Sequence, residues 1–305
     1  METLDNLVPE EILMSSLAPL WRKRLEKAVT FLYESLASVP SPSLEEISEH
    51  CAVSPYHLHR MFHLVFHETP GQYLRRLRLQ TAFELLTEWP TLSVTDIAHK
   101  CGFSSSQALA KSLRREVGVT AKEIRGGIWH EDPEYLENLI LKLGHPIKGE
   151  AGCLEQEAAK NIRFRLEERP STALQVSEIA YPWTDSVEKF NEMTGSKKDQ
   201  PLWIVTQVSQ LNESYSDQVA RAGFISEHEE QTNYVTVSGC YLVCDLKLGS
   251  EAAYVASWDR MYDYILETGL DIDENDDALE IIHNPDALFH DLEAARMTLM
   301  VPVSG

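Results

Sequence analysis

The chain repeats itself once, in LEEISEHCAVSPYHLHRMF (residues 44–62) and VTDIAHKCGFSSSQALAKSL (residues 94–113). Laid over each other with one extra residue in the second, Ile47 meets Ile97, Ser54 meets Ser104, Leu58 meets Leu109, Arg60 meets Lys111 and Phe62 meets Leu113. Each copy has a short helical pattern around an isoleucine, then a break. A serine follows, ahead of a second segment whose apolar residues recur at i and i+4. A serine oxygen accepts from the unpaired N–H groups of a first helical turn, so it marks a helix start. This is the pattern of a helix-turn-helix, whose second helix enters the major groove of DNA. Any two packed helices can imitate one such unit. Two of them, about 50 residues apart and joined by the helix-like QYLRRLRLQTAFELL (72–86), are a much narrower match.

Charge points to the same region. The 305 residues carry a formal net charge of −21. Residues 1–126 hold 14 basic and 15 acidic side chains, whereas residues 127–305 hold 13 and 33, a net of −20. Within the first part, residues 50–126 hold 10 basic and 6 acidic groups. A site for phosphate belongs there, because the acidic remainder repels nucleic acid and favours a cationic or neutral ligand. A hydrophobic content of 43% excludes a disordered chain. No apolar run approaches the roughly 20 residues of a membrane helix, and the acidic start METLDNLVPEE does not suit a signal peptide. The five cysteines lack CxxC or CxxH spacing and read as free thiols in a reducing compartment. A cytoplasmic protein, associated with the nucleoid and with no membrane partner, is expected.

The expected fold is multi-domain, an all-α N-terminal part followed by an α+β part. Residues 1–20 form an extension. Residues 21–126 are nearly continuous helix, broken at SVPSPS (38–43), ETPG (68–71) and EWPTLS (88–93). Residues 127–160 are a linker. From 161 to 305 the pieces IRFRLEE, TALQVSEI, PLWIVTQV, YVTVSGCYLVCDL, ALEIIH and MTLMVPV alternate like strands, with helices near 184–194 and 251–268.

In the first reader helix Leu58 and Phe62 point inward, leaving Tyr56, His59 and Arg60 for base edges. Arg60 can donate two bonds to guanine. In the second, Leu109 and Leu113 point inward and Ser106, Gln107, Ala110 and Lys111 face out, Gln107 suiting adenine. Arg75, Arg76, Arg78, Arg114 and Arg115 are the expected phosphate contacts, which fix register without reading sequence. A solvated helix face would account for any one of these charges alone. His59, His63 and His67 have i, i+4, i+8 spacing that could hold a metal, but no carboxylate or thiol motif completes a site, and none is expected.

SLEEISEHCAVSPYHLHRMFHLVFHETPGQYLRRLRLQTAFELL (43–86) and SVTDIAHKCGFSSSQALAKSLRREVGVTAKEIR (93–125) together resemble the paired helix-turn-helix domain of the AraC/XylS-type transcription activators. The resemblance implies a sequence-specific regulator that reads two successive major grooves of double-stranded DNA. It also implies RNA polymerase as a partner, no catalysis and no cofactor. Ala52 and His67 stand where glycine is usual, so His67 is expected to take a left-handed backbone. Leu113 replaces an aromatic residue, and Ala121 and Ile124 replace a proline and an aromatic.

In the acidic part, Glu280 interrupts the apolar run ALEIIH. If it faces inward it must be paired or serve a site; the alternative is an exposed strand face. Tyr254, Trp258, Met261 or Tyr262, and Ile265 share one helical face, which suits either core or ligand. Glu280, with Trp183, Tyr241, Trp258 and Tyr262, could hold a cationic aromatic or amphipathic effector by charge and ring quadrupole. Asp271, Asp273, Asn275 and Asp277 approach a calcium loop. Asp276 and Ile282 fail its glycine and final acidic positions, so a solvated loop is expected. RPSTALQVSEIAYPW (169–183), VSGCYLVCDL (237–246), SWDRMYDYIL (257–266), DDALEIIHNPD (276–286) and TLMVPV (298–303) resemble the GyrI-like effector-binding domain. That resemblance implies two similar halves around a small-molecule cleft and an acid in the Glu280 strand. It leaves two competing readings, a hydrolase of small reactive compounds and a gyrase- or partner-binding inhibitor module.

Overall fold

The computed structural model describes residues 4–89, 91–126, 133–149, 152–180, 200–210, 219–289 and 293–304. It divides into two compact units, one of residues 8–156 and one of residues 1–7 with 157–305. The division differs from the expected 127–160 linker. Residues 133–149 and 152–156 belong to the helical unit, and the first residues of the chain belong to the other.

In the helical unit, α1 (Pro9–Met14) and α2 (Pro19–Glu34) precede the first repeat, formed by α3 (Leu44–Cys51) and α4 (Pro55–Phe66). The long α5 (Pro70–Glu88) leads to the second repeat, α6 (Val94–Lys100) and α7 (Ser106–Glu116), and then to α8 (Ala121–Arg125) and α9 (Pro133–Lys142). The division between units falls within α10 (Leu154–Ala159). Caps written into the sequence start these helices. Ser43 with Glu46, Thr69 with Gln72 and Thr120 with Glu123 form capping boxes, each satisfying two backbone donors. Ser54, Ser93 and Ser105 accept from the N–H three residues on.

The cap of the second reader is thus Ser105, one residue beyond the expected Ser104. The extra residue lies in the turn. Ala52 (φ 53°) and Gly102 (φ 67°) both take the left-handed conformation, and the next N–H returns to the preceding helix in both repeats. These return bonds run from Val53 N to Ser48 O at 3.0 Å and from Phe103 N to Ala98 O at 2.8 Å. Ser104 is then inserted before the cap. His67 closes α4 at φ 60°, as its place in the sequence requires. At Gly102 a Cβ would lie 2.2 Å from the Leu36 carbonyl oxygen, so only glycine fits.

Each repeat buries the residues that its i, i+4 pattern picks out: Leu58 and Phe62 in the first, Leu109 and Leu113 in the second. Helix α5 passes between the repeats and is buried along most of its length, through Tyr73, Leu77, Ala82, Phe83 and Leu86. Burying side chains of this size contributes about 1.5–3 kcal/mol each, which fixes both reader helices to one framework.

In the second unit ten strands form one sheet among the described residues. The strands are β1 (Asp5–Leu7), β2 (Arg165–Arg169), β3 (Ala173–Ala180), β4 (Leu202–Gln207), β5 (Val219–Ile225), β6 (Tyr234–Val235), β7 (Gly239–Leu248), β8 (Asp271–Ile272), β9 (Asp277–Ile282) and β10 (Ala295–Ser304). The order is β1-β7-β10-β9-β4-β5-β3-β6, with β2 also on β7 and β8 on β10; every pair but the parallel β1–β7 is antiparallel. Helix α11 (Glu251–Thr268) begins at the Ser250 cap and ends at Gly269 (φ 70°). The expected helix near 184–194 lies outside the described residues. Strand β5 was not expected, because Val-Ala-Arg-Ala-Gly lacks β-branched alternation. Gly223 explains part of that composition: a Cβ there would stand 1.9 Å from the Gln175 carbonyl oxygen of β3. Among the described residues no helix is long and apolar enough to cross a membrane.

Candidate nucleic-acid interface and ligand cluster

On α4, Tyr56, His59 and Arg60 are exposed, and Tyr56 Oη accepts from Arg60 Nη1 at 3.3 Å. On α7, Gln107 and Lys111 are exposed and Ser106 and Ala110 partly so. All the expected base-contacting side chains therefore lie on the open sides of the reader helices. A groove of about 600 Å³ runs through the same unit, lined by Gly71 and Arg75 at the start of α5 and by Lys111 and Arg115 on α7. No carboxylate is among its described lining residues. Lys111 and Arg115 are one turn apart on one side of α7, a pair of cations with the spacing to meet phosphate. Arg114 is exposed, and Arg115 also pairs with Glu116 at 2.6 Å.

Arg76 and Arg78 are corrections to the expected phosphate contacts. The Arg76 guanidinium, 12% exposed, donates to Glu68 Oε1 at 2.8 Å and to His145 Nδ1 at 3.0 Å. Arg78, 6% exposed, donates to the carbonyl oxygens of Leu36 (2.8 Å) and Ser38 (2.7 Å) and to Ser41 Oγ (2.7 Å). Both hold the framework together. The run RRLRL gives no sign of this by itself, since the partners lie 8 to 69 residues away. Nor does the sequence point to the partners of His145 and Glu155, which stand in the loop-like GHPIKGE and the short helix LEQEAA. His145 is fully buried, and its backbone N–H donates to Glu155 Oε2 at 2.9 Å. Desolvation, with the Arg76 charge beside it, pushes the His145 pKa well below the usual imidazole value. Desolvation raises the Glu68 and Glu155 carboxyls, and Arg76 partly offsets it in both.

In the sheet unit, Glu280 stands in register between Ile204 of β4 and Leu299 of β10. Its side chain is half-buried and accepts from Tyr254 Oη of α11 at 3.0 Å. Desolvation pushes its pKa up to about 7, and the tyrosine bond works in the other direction. Along α11, Tyr254 meets Trp258 edge-on at 6.4 Å, and Trp258 meets Tyr262 at 6.1 Å. The Trp258 Nε1 atom is buried and has no acceptor among the described residues. Glu280, Trp258 and Tyr262 thus belong to one cluster, completed by Tyr254.

Tyr241 does not join it. By strand alternation it points to the opposite face, into the core of Leu279, Ile281, Trp203 and Val243, and its hydroxyl donates to Val237 O at 3.1 Å. Trp183 lies outside the described residues. No group of three metal-ligating side chains occurs among the described residues, around His59, His63 and His67 or in the 271–277 loop. Asp273 there accepts from Asn275 N at 3.1 Å.

Residues 47–127 match the family described as helix-turn-helix domain. The HTH-type transcriptional activator RhaS of Escherichia coli O139:H28 (strain E24377A / ETEC) is 35% identical over 134 residues, which cover 41% of this chain and 48% of that protein. RhaS of Escherichia coli (strain K12 / DH10B) is 34% identical over the same shares. The chain spans about half the length of these curated relatives. An AraC-type DNA-binding regulator from Chromobacterium violaceum aligns in structure over 34% of this chain and 89% of its own, at 28% identity and a TM-score of 0.31. The DNA-binding domain of AdpA, solved in complex with a target DNA, aligns over 37% and 98%, at 27% identity and a TM-score of 0.33.

Proposed function

We propose that the chain is an AraC-type, sequence-specific, DNA-binding transcription regulator that responds to a small molecule, a reading supported by the helix-turn-helix match over residues 47–127 and the likeness to RhaS. One observation carries the DNA reading: two reader helices on one framework, each burying one side and exposing Tyr56, His59 and Arg60 or Ser106, Gln107 and Lys111. Helices α4 and α7 enter successive major grooves about one turn, or roughly 34 Å, apart. Arg75, Arg114 and Arg115 contact phosphate, and Lys111 serves a base edge or the phosphate between. A single copy suffices, and the site is asymmetric. Footprinting tests this, with a palindromic site protected only by a dimer as the contrary result. Arg60→Ala should cost about 1–3 kcal/mol and relax preference at one base.

The sheet unit is the sensor in this reading and is GyrI-like in type. Glu280, Tyr254, Trp258 and Tyr262 supply a carboxylate beside a row of contacting aromatic rings, which suits an aromatic or amphipathic cation. A group titrating near 7 gives the reading a signature, because a cation bound beside Glu280 favours its ionised form. Calorimetry with a cationic and a neutral isostere should show affinity rising from pH 6 to 8 for the cation alone. Glu280→Gln should remove that preference while leaving the neutral compound bound. A preference that instead vanishes with salt in the wild type belongs to the diffuse negative field.

A further inference from the structure

The face of the sheet that carries Tyr241, away from Glu280, holds a second cavity, of about 420 Å³. Its floor is apolar, from Val243 and Ile281, and its walls carry three of the six arginines between residues 157 and 305: Arg165, Arg169 and Arg296. They converge in the part of the chain with the largest acidic excess.

The walls are connected by hydrogen bonds. Thr298 Oγ1 donates to Asp245 Oδ1 at 2.6 Å, and Asp245 Oδ2 accepts from Arg165 Nη1 at 2.6 Å. Arg165 Nε reaches Glu167 at 3.1 Å, and the other oxygen of Glu167 accepts from Arg169 at 2.8 Å. The one hydroxyl hydrogen of Thr298 is given to Asp245, so its oxygen accepts from His283 Nε2 at 2.8 Å. His283 Nε2 therefore carries a hydrogen, and because desolvation lowers its pKa the ring is taken as the neutral Nε2–H tautomer, which adds no charge. Three guanidiniums face two carboxylates, which leaves one positive charge. Arg296 carries it: the residue is exposed, and among the described residues no hydrogen bond or ion pair engages its guanidinium.

We propose that this cavity binds a small organic oxyanion carrying a single charge, its head on Arg296 and Arg169 and its apolar body on Val243 and Ile281. Guanidinium geometry suits a carboxylate or a phosphate monoester head, and the excess of one charge favours the carboxylate. The volume is at the lower end for small-molecule pockets, in keeping with a ligand of about a dozen heavy atoms. The site is independent of the cation reading, since Glu280 points to the other face.

The test is calorimetry on the full chain with benzoate, phenyl phosphate, benzyl alcohol and benzylamine, with His283 ring signals followed by NMR. Benzoate should bind once per chain, and Arg296→Ala should weaken it about tenfold or more, with Arg296→Lys in between. Glu280→Gln should leave it unchanged. Bound anion should also raise the pKa of His283, a shift that a surface arginine far from the cavity would not cause. Tighter binding of phenyl phosphate, which carries nearly two charges at neutral pH, would overturn the single-charge assignment. Benzyl alcohol binding as well as benzoate, or benzoate binding indifferent to Arg296→Ala in a folded protein, would overturn the proposal. No saturable benzoate or phenyl phosphate binding up to millimolar concentration would also overturn it.

Discussion

Arg76 donates to Nδ1 of His145 at 3.0 Å, and this fixes the buried imidazole as the neutral Nε2–H tautomer. Arginine has no acceptor, so Nδ1 must accept, and Nε2 then donates to the Phe66 carbonyl oxygen at 3.1 Å. Protonation would set a second positive charge against Arg76 inside the helical unit.

The helical unit should therefore lose stability in mild acid. The unfolded histidine takes up a proton below about 6.5, while the folded one, its pKa lowered by desolvation and Arg76, does not. Stability should fall steadily as pH drops below that value. Denaturant melts between pH 7.5 and 5.5 should show the slope in the wild type and a reduced one in His145→Gln. The raised Glu68 and Glu155 carboxyls act in the opposite sense, so the comparison between variants isolates the imidazole.

Arg78 and Arg114 should separate cleanly. Arg78→Ala removes the donor to the Leu36 and Ser38 carbonyl oxygens and to the Ser41 hydroxyl and should cost about 2–4 kcal/mol of stability. The salt dependence of DNA binding should stay as in the wild type. Arg114→Ala should leave the melting curve unchanged and lower the slope of log K against log salt by about one. Equal effects of the two substitutions would return Arg78 to the DNA surface.

The two turns should respond to glycine with opposite signs. Ala52→Gly relieves a left-handed alanine and should stabilise by up to about 1 kcal/mol, net of the added unfolded-state entropy. Gly102→Ala meets both the left-handed strain and the Leu36 carbonyl oxygen, so it should destabilise by more than about 2 kcal/mol. Thermal melts of the two variants suffice.

Glu280→Gln should stabilise the free protein at pH 8 and not at pH 4. The folded carboxyl titrates near 7 and the unfolded one near 4.5, so the wild type loses stability as pH rises between them. The difference should grow across that window by at most about 2–3 kcal/mol, read from denaturant melts at several pH values.

Much of this was legible in the sequence because it is local. Ser43, Ser54, Thr69 and Thr120 announce helix starts within three residues, and the i, i+4 pattern finds Leu58, Phe62, Leu109 and Leu113. Glu280 stood out as a carboxylate in an apolar strand, and the aromatic stripe of α11 faces it. What was missed depends on contacts distant in sequence. Arg76 and Arg78 read as surface charges because Glu68, His145 and the Leu36 carbonyl oxygen come to them only in the fold. Tyr241 was placed with Glu280 because alternation along each strand does not say which strands are neighbours, and the register does. Ser104 and Ser105 in succession fit the cap pattern equally well, and only backbone geometry chooses Ser105.

Helix α5 has one more consequence, for the spacing of DNA sites. Its 19 residues span about 28 Å, and it is packed against both repeats, so the readers cannot rotate independently. It acts as a fixed ruler laid along a screw. Inserting half a helical turn of base pairs between the two half-sites carries the second one to the far side of the duplex, where α7 cannot follow. Two mobile modules would tolerate such dephasing, whereas readers fixed on one helix should admit a single phase.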